Sequence, residues 1–304
     1  MDTYDRNGVE LGADLSRALG YVAAWRGRRV VIKLGGRALE EERLGTVIED
    51  IVLLQRAGLL PILVHGGGPE ISETLERFGH EARFVDGLRV TDRATMEVVE
   101  MVLAGSVNTR VVRLVQQAGG EAVGLSGRDG GLLRVAPHPR RELGFVGEVV
   151  AVEEAVLGAL LSAGFIPIVA TLGLGPGGES YNVNADTAAA SLAVAVRAEK
   201  LLVLTDVRGI RRPGPDGSEQ LVSELAPETA AELVTTGVVQ KGMIPKLEAC
   251  LAAIAGGVPS AHIVGADLPH SLLVELFTDR GSGTMIRNEA RAVGSSAPQT
   301  EPAS

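Results

Sequence analysis

The feature that most constrains this chain is a regular alternation of two kinds of segment. Short runs of branched apolar residues are each followed by a longer stretch with helical periodicity. Residues 29–34 (RVVIKL), 61–65 (PILVH), 165–170 (FIPIVA), 200–205 (KLLVLT) and 261–264 (AHIV) read as strands buried on both faces. Residues 41–57, 69–78, 91–104, 152–163 and 186–196 read as helices between them. That order predicts an α/β protein with a mainly parallel sheet covered on both faces. Residues 121–126, 132–135 and 145–150 look like strands without long helices between them, which suggests an antiparallel excursion mid-chain. Composition agrees: 45% of residues are hydrophobic and only 3% aromatic, so the core must be built from Val, Leu, Ile and Ala.

Charge and cysteine content exclude several classes. A formal charge of -9 argues against a general nucleic-acid surface, which needs a basic stripe, although ATP needs only a few local cations. The single Cys250 forbids an internal disulfide and disfavours a thiolate metal site, so no protein-bound metal is expected. No apolar run approaches the roughly 20 residues that span a bilayer, and no apolar leader opens the chain. The expectation is a cytoplasmic protein with no membrane partner. Residues 288–304 are polar, rich in Ser, Ala and Pro and aperiodic, and read as a disordered tail.

Chemistry concentrates at the strand ends. Lys33-Leu34-Gly35-Gly36 closes the first strand and His65-Gly66-Gly67-Gly68-Pro69 the second, each leading into a helix. Glycines allow backbone N–H groups to approach an anion, and a helix start adds unsatisfied donors. Pro69 suits the first helical position. One such loop is as well explained by a tight turn; two in succession, the first beside a lysine, favour an anion site. Neither is a Walker A loop, and no G-x-G-x-x-G follows the first strand, so a dinucleotide fold has little support.

Lys246 precedes an apolar series at helical spacing, Leu247, Leu251 and Ile254, and so belongs to a first helical turn. A cation there opposes the helix dipole, which makes sense if an anion compensates it; a solvated lysine is the plain alternative. In Asn182-Val183-Asn184-Ala185-Asp186, Asn184 suits an N-cap and Asp186 the first turn, which leaves Asn182 unused. In Asp86-Gly87-Leu88-Arg89-Val90-Thr91-Asp92, Thr91 is the expected cap. Arg89 beside it has the planar fork suited to a carboxylate, though most such arginines are solvated.

In order, VVIKLGG, VHGGGPEI, DGLRVTD, GLSGRDG, ELGFVGEV, GFIPIVA, YNVNADTAA, LTDVRGI and GMIPK resemble the amino acid kinase family, and within it the branch that phosphorylates N-acetyl-L-glutamate. The likeness runs from about Leu11 to Ile286. It implies an open αβα sandwich, with an acyl-amino-acid half at 28–195 and a nucleotide half at 196–287. It implies ATP and Mg²⁺ as cofactors and an acyl phosphate as product, in arginine biosynthesis. It also implies that Lys33 and Lys246 stabilise the phosphoryl group in flight and that Asp186 holds both. Gly35 and Gly36 would bind phosphate through the backbone. Gly67, Gly68, Arg89 and Asn182 would bind the acceptor, and Thr205, Asp206, Val207, Gly242 and Met243 would line the nucleotide pocket. Arg128 and Thr171 depart from the family's commoner Lys and Pro, and Lys241 is a third cation near Gly242 that touches phosphate or projects into solvent.

Leu11, Leu15, Leu19, Val22 and Trp25 form a stripe at three- and four-residue spacing. Residues 1–27 therefore read as a helix and resemble the oligomerisation helix of arginine-inhibited family members, so a homodimer or homohexamer is expected. Tyr21, His262, Glu275 and Gly283 are the candidate arginine contacts. The competing readings are a kinase of carrier-bound aminoadipate or glutamate, and a non-catalytic amino-acid sensor on the same fold.

Overall fold

A computed structural model describes residues 6–213, 218–236, 239, 242–278 and 281–287. Residues 288–304 and Lys241, for which a tail and a third cation were expected, lie outside them. The order begins α1 (Arg6–Trp25), β1 (Arg29–Leu34), α2 (Glu41–Arg56), β2 (Leu60–His65), α3 (Gly68–Arg77), β3 (Phe84–Val85), β4 (Leu88–Arg89), α4 (Arg93–Glu100) and α5 (Asn108–Gln117). It continues β5 (Ala122–Ser126), β6 (Leu133–Pro137), β7 (Val146–Val152), α6 (Ala155–Ser162), β8 (Ile166–Ala170), β9 (Leu172–Leu174), β10 (Ser180–Val183), α7 (Ala185–Ala195) and β11 (Lys200–Thr205). The remaining elements are β12 (Arg211–Pro213), β13 (Glu219–Leu221), β14 (Glu224–Leu225), α8 (Pro227–Thr235), α9 (Ile244–Ala255), β15 (Ser260–Gly265), α10 (Ser271–Phe277) and β16 (Thr284–Arg287).

The main sheet runs β14-β16-β15-β11-β1-β2-β8-β5, and every pairing in it is parallel except β15 with β16. Strand alternation divides the core into two layers. Val30, Ile32 and Leu34 of β1 pack with α2, α3, α4, α5 and α10. Val31 faces the opposite layer, built on α6, α7, α8 and α9. Period two therefore puts Lys33 on the side of Val31, toward α7 and α9, and His65 of β2 on the side of α5. These two assignments position the site.

Several expectations need correction. Residues 121–126 are not part of an antiparallel excursion: β5 is the parallel edge strand beside β8. The excursion is the small closed sheet β10-β7-β6-β9, in which β6 and β7 are antiparallel. The expected helix over 91–104 begins two residues later and continues through a π-helical stretch, Met101–Val107, into α5. Thr91 is not its cap. Its main chain pairs with Leu143 and Phe145, and Asp92 accepts from Thr95 N at 2.8 Å instead. Pro69 is the second residue of α3, after Gly68. After β11, β12 and β13 pair antiparallel.

The apolar stripe on α1 has two fates. Trp25 packs on the core and carries Lys200 Nζ 5.1 Å above its ring centroid, whereas Leu15 and Leu19 are 55% and 67% exposed. The side chain of Leu11 lies outside the described set. Among the described residues no helix is long and apolar enough to cross a membrane.

Candidate active site

The order of strands reverses between β1 and β11, and open α/β sheets take ligands outside the carboxyl ends at such a point. Lys33 is the penultimate residue of β1, on the face covered by α7. Asn184 caps α7, accepting from Asp186 N at 2.9 Å and Thr187 N at 3.2 Å, which aims Asp186 at the same spot. Lys33 Nζ lies 2.7 Å from Asp186 Oδ1, a close ion pair whose angles fall short of a hydrogen bond. From the other side, Lys246 Nζ lies 3.7 Å from Asp186 Oδ2 and donates to the Gly242 carbonyl at 3.1 Å. Lys33 and Asp186 are buried, and Lys246 is 19% exposed at the side chain. One carboxylate thus meets two ammonium groups, which leaves one positive charge over, and the start of α9 adds positive potential.

The first glycine loop fits this pair sterically. A Cβ on Gly35 would land on the Lys33 ammonium, so only glycine leaves the lysine its path. Gly36 has φ +57°, and a Cβ there would lie 3.9 Å from Asp206 Oδ1, which brings the loop beside the end of β11. Thr205 donates to Asp206 Oδ1 at 3.0 Å. Val207 is 39% exposed beyond them, and Gly242 and Met243 lead into α9.

The second loop is tied from beneath. His65 is buried: its Nδ1 lies 2.9 Å from the Gly66 carbonyl, and its Nε2 lies 3.0 Å from Asn108 Nδ2. Burial holds its pKa down at about 4, against a smaller upward pull from the Gly66 carbonyl. A Cβ on Gly67 would press on Leu103 at 2.9 Å and Val107 at 3.3 Å, whereas one on Gly68 would meet no protein atom within 4 Å. Packing within the chain therefore explains Gly67 but not Gly68.

Arg89 follows a two-residue turn, Asp86-Gly87, in which both residues have positive φ (48° and 81°), the requirement of a type I′ hairpin. Its Nη2 donates to the Gly68 carbonyl at 2.8 Å and to Ser72 Oγ at 2.9 Å, and its guanidinium carbon stacks 4.7 Å over Phe84. Nη1 is buried with no partner among the described residues. Burial lowers the Arg89 pKa, and an arginine still stays charged. Asn182 Nδ2 donates to Thr91 Oγ1 at 3.3 Å on the same side. The motifs do not single out Ser72 or Asn108, and His65 appears in them only as the strand residue before three glycines.

Three of the four candidate effector residues, His262, Glu275 and Gly283, form a separate buried cluster. His262 Nδ1 lies 2.6 Å from Glu275 Oε1, and Glu275 Oε2 accepts from Ser282 N at 2.6 Å, Gly283 N at 3.1 Å and Ser282 Oγ at 3.2 Å. Burial alone would raise the Glu275 carboxyl, but the bond and charge of His262 and the Ser282 amide outweigh it and hold the pKa down to about 2. Helix α1, which carries Tyr21, packs against α10 beside this cluster. Arg128 pairs with Glu100 at 2.9 Å.

A groove of about 730 Å³ lies instead on the outer side of α7 and α9, lined by Val150, Ala190, Val194, Pro245 and Ala252. It holds none of these cations, so charge rather than size locates the site. Among the described residues no cluster of three or more His, Cys, Asp or Glu is placed to hold a metal.

The model of the amino acid kinase family matches residues 28–265. The chain belongs to the amino acid kinase family. Within it, acetylglutamate kinase of Symbiobacterium thermophilum is 48% identical over 291 residues, covering 93% of this chain and 99% of that one. The Nostoc sp. acetylglutamate kinase is 50% identical over 273 residues, covering 90% and 92%. Among solved structures, N-acetylglutamate synthase from Neisseria gonorrhoeae, complexed with coenzyme A and N-acetyl-glutamate, superposes with TM-score 0.80 at 31% identity. The match covers 91% of this chain, which spans 63% of that synthase. Carbamate kinase from Giardia lamblia, at TM-score 0.65 and 15% identity over 86% of this chain and 99% of that one, shares the amino acid kinase fold.

Proposed function

We infer that this family member transfers the γ-phosphoryl group of ATP to the side-chain carboxylate of N-acetyl-L-glutamate, forming N-acetyl-L-glutamyl 5-phosphate in arginine biosynthesis. The observation that carries this reading is Asp186 held between Lys33 and Lys246 at the strand ends, with one positive charge in excess. An anionic acceptor needs no strong base; the barrier is lowered by alignment and by cancelling charge on the transferred group. Lys33 and Lys246 would meet that charge, with Asp186 fixing their positions. The amides of Gly35, Gly36, Gly67 and Gly68 would add donors. Arg89 supports an amino-acid acceptor, because its buried Nη1 lacks a partner that a carboxylate would supply. Asn182 would bind the acceptor beside it.

In this reading residues 28–195 hold the acceptor and residues 196–287 the nucleotide, with Thr205, Asp206, Val207, Gly242 and Met243 lining its pocket. Mg²⁺ would arrive on the ATP phosphates, since the described residues offer no cage for it. A cytoplasmic location belongs to the same proposal. Measuring ATP consumption with N-acetylglutamate, glutamate, aspartate and carbamate side by side tests it. Turnover confined to N-acetylglutamate is expected, and preference for any other acceptor overturns it.

A second reading concerns regulation by arginine. The packing of α1 on α10, together with the exposed Leu15 and Leu19, supports arginine feedback in an assembly built through α1. Arginine would lie beside Glu275, His262 and Gly283 beneath Tyr21. It would favour a conformation with lower substrate affinity, by about 1–3 kcal/mol. Deleting residues 1–25 should turn a hexamer into a dimer and abolish inhibition. A full-length dimer indifferent to arginine would refute this reading and leave the kinase reading intact.

A further inference from the structure

We propose that His65 is a positioning residue for phosphoryl transfer, a latch that turns the Gly67 N–H toward the crevice. The argument begins with Asn108, the first residue of α5. Its side-chain amide donates to the Ile168 carbonyl at 2.9 Å and also faces His65 Nε2 at 3.0 Å. An amide NH₂ can only donate, so Nε2 must accept, and the ring proton of the neutral imidazole resides on Nδ1. Nδ1–H then donates to the Gly66 carbonyl at 2.9 Å. The reverse tautomer would set two donors against each other at Nε2 and two acceptors at Nδ1.

This bond decides the orientation of one peptide plane. No cis peptide occurs among the described residues, so the Gly67 N–H points opposite to the Gly66 carbonyl. Alternation along β2 puts His65 on the side of α5. Drawing the carbonyl down to that side sends the N–H away from it, toward the opening shared with Lys33. Glycines on either side of this peptide would otherwise let it flip at little cost. Leu103 and Val107, from the π-helical stretch just before Asn108, close over Gly67 and leave no room for a Cβ. The widened helical turn and the Asn108–His65 pair thus act on the same peptide.

This latch rests on the phosphoryl-transfer reading, and its test separates the two. In the unsubstituted protein, long-range ¹H–¹⁵N correlation should show His65 as a neutral Nδ1–H tautomer that does not titrate above about pH 5. An Nε2–H tautomer, or a titration near neutrality, overturns the latch whether or not the protein phosphorylates anything. Kinetics supply the second arm. His65→Asn keeps a donor near the Nδ1 position, while His65→Gln places its amide at the Nε2 position and leaves the Gly66 carbonyl unheld. Equal losses of thermal stability are expected in both. The Gln variant should lose about 10²-fold in kcat, the cost of one misplaced oxyanion-type donor, with KM for both substrates little changed. The Asn variant should keep most of its kcat. If kcat falls equally in the two, or survives in His65→Gln, His65 is only a satisfied core residue. If a variant fails to fold, the tautomer of the unsubstituted protein decides alone. Absence of turnover with every acceptor in the unsubstituted protein would refute the kinase reading and leave the spectrum to judge the latch.

Discussion

Two buried carboxylates, Asp186 and Glu275, show how differently this fold treats the two ends of its sheet. Glu275 lies beside the opening residues of β15 and is saturated by His262, two backbone amides and a hydroxyl. Asp186 lies at the opposite, carboxyl ends of β1 and β11 and meets two ammonium groups, one of them at 3.7 Å. Saturated buried polar groups rigidify a structure, whereas an incompletely matched charge keeps free energy available for a ligand. The chain supplies every partner of the first arrangement itself, so arginine would have to displace one of them to bind there. In the proposed reaction an anion would complete the second.

That contrast breaks if the two carboxylates respond alike to neutralisation. Asp186→Asn should chiefly cost rate, about 10²–10³ in turnover, since both lysines lose their organiser. Steady-state kinetics on the folded variant would show it; a variant that keeps near-normal turnover with a lower Tm reduces Asp186 to a first-turn charge that complements the dipole of α7. Glu275→Gln should chiefly cost stability, about 3 kcal/mol, because a buried pair loses its charged member and one amide turns against donors. Urea unfolding measures this, and a loss within experimental error would show that the cluster is not saturated in solution.

Gly35→Ala sharpens the comparison on the catalytic side. The chain should fold, since the obstruction is the far end of a flexible side chain, but Lys33 must leave its path. About a tenfold fall in kcat is expected, with ATP affinity nearly unchanged. Normal kcat would mean that Lys33 has a second productive route to the site.

The smallest effect is on acid stability. His65 has its pKa lowered to about 4 in the fold, below the usual 6.5 of a free histidine. A lowered folded pKa gives stability that is fully present above the unfolded value and is lost as pH falls toward the folded one. Between pH 6.5 and 5.5 the loss should be about 1 kcal/mol, seen as a drop in the unfolding midpoint. In His65→Asn this component should vanish.

Much of the molecule was legible from local pattern because local pattern is what it depends on. The residue ranges of β1 and β11 and the core of β8 follow from short branched runs, and the Asn184 cap follows from side-chain chemistry beside a helix start. Thr91 misled because a hydroxyl before a helix is an ordinary cap. Here its backbone is taken by Leu143 and Phe145, residues that no local pattern connects to it. Residues 122–126 misled because their partner, β8, arrives only after β6, β7 and α6 have intervened.

By itself the sequence determined the layers and the faces: alternation along β1 places Lys33 opposite Val30 and Ile32, and along β2 it places His65 opposite Val64. It also supplied each chemical group and the helix start beside it, since propensity, capping and period act over a few residues. The tertiary structure alone decided which of these groups meet. Asp186 lies between Lys33 and Lys246 because β11 inserts beside β1 and brings α7 and α9 onto one face. Arg89 keeps one unpartnered nitrogen because Gly68 and Ser72 satisfy only the other. The physical reason is range: backbone preference ends within a turn or two, whereas charge balance and burial are properties of segments that only the folded chain brings into contact.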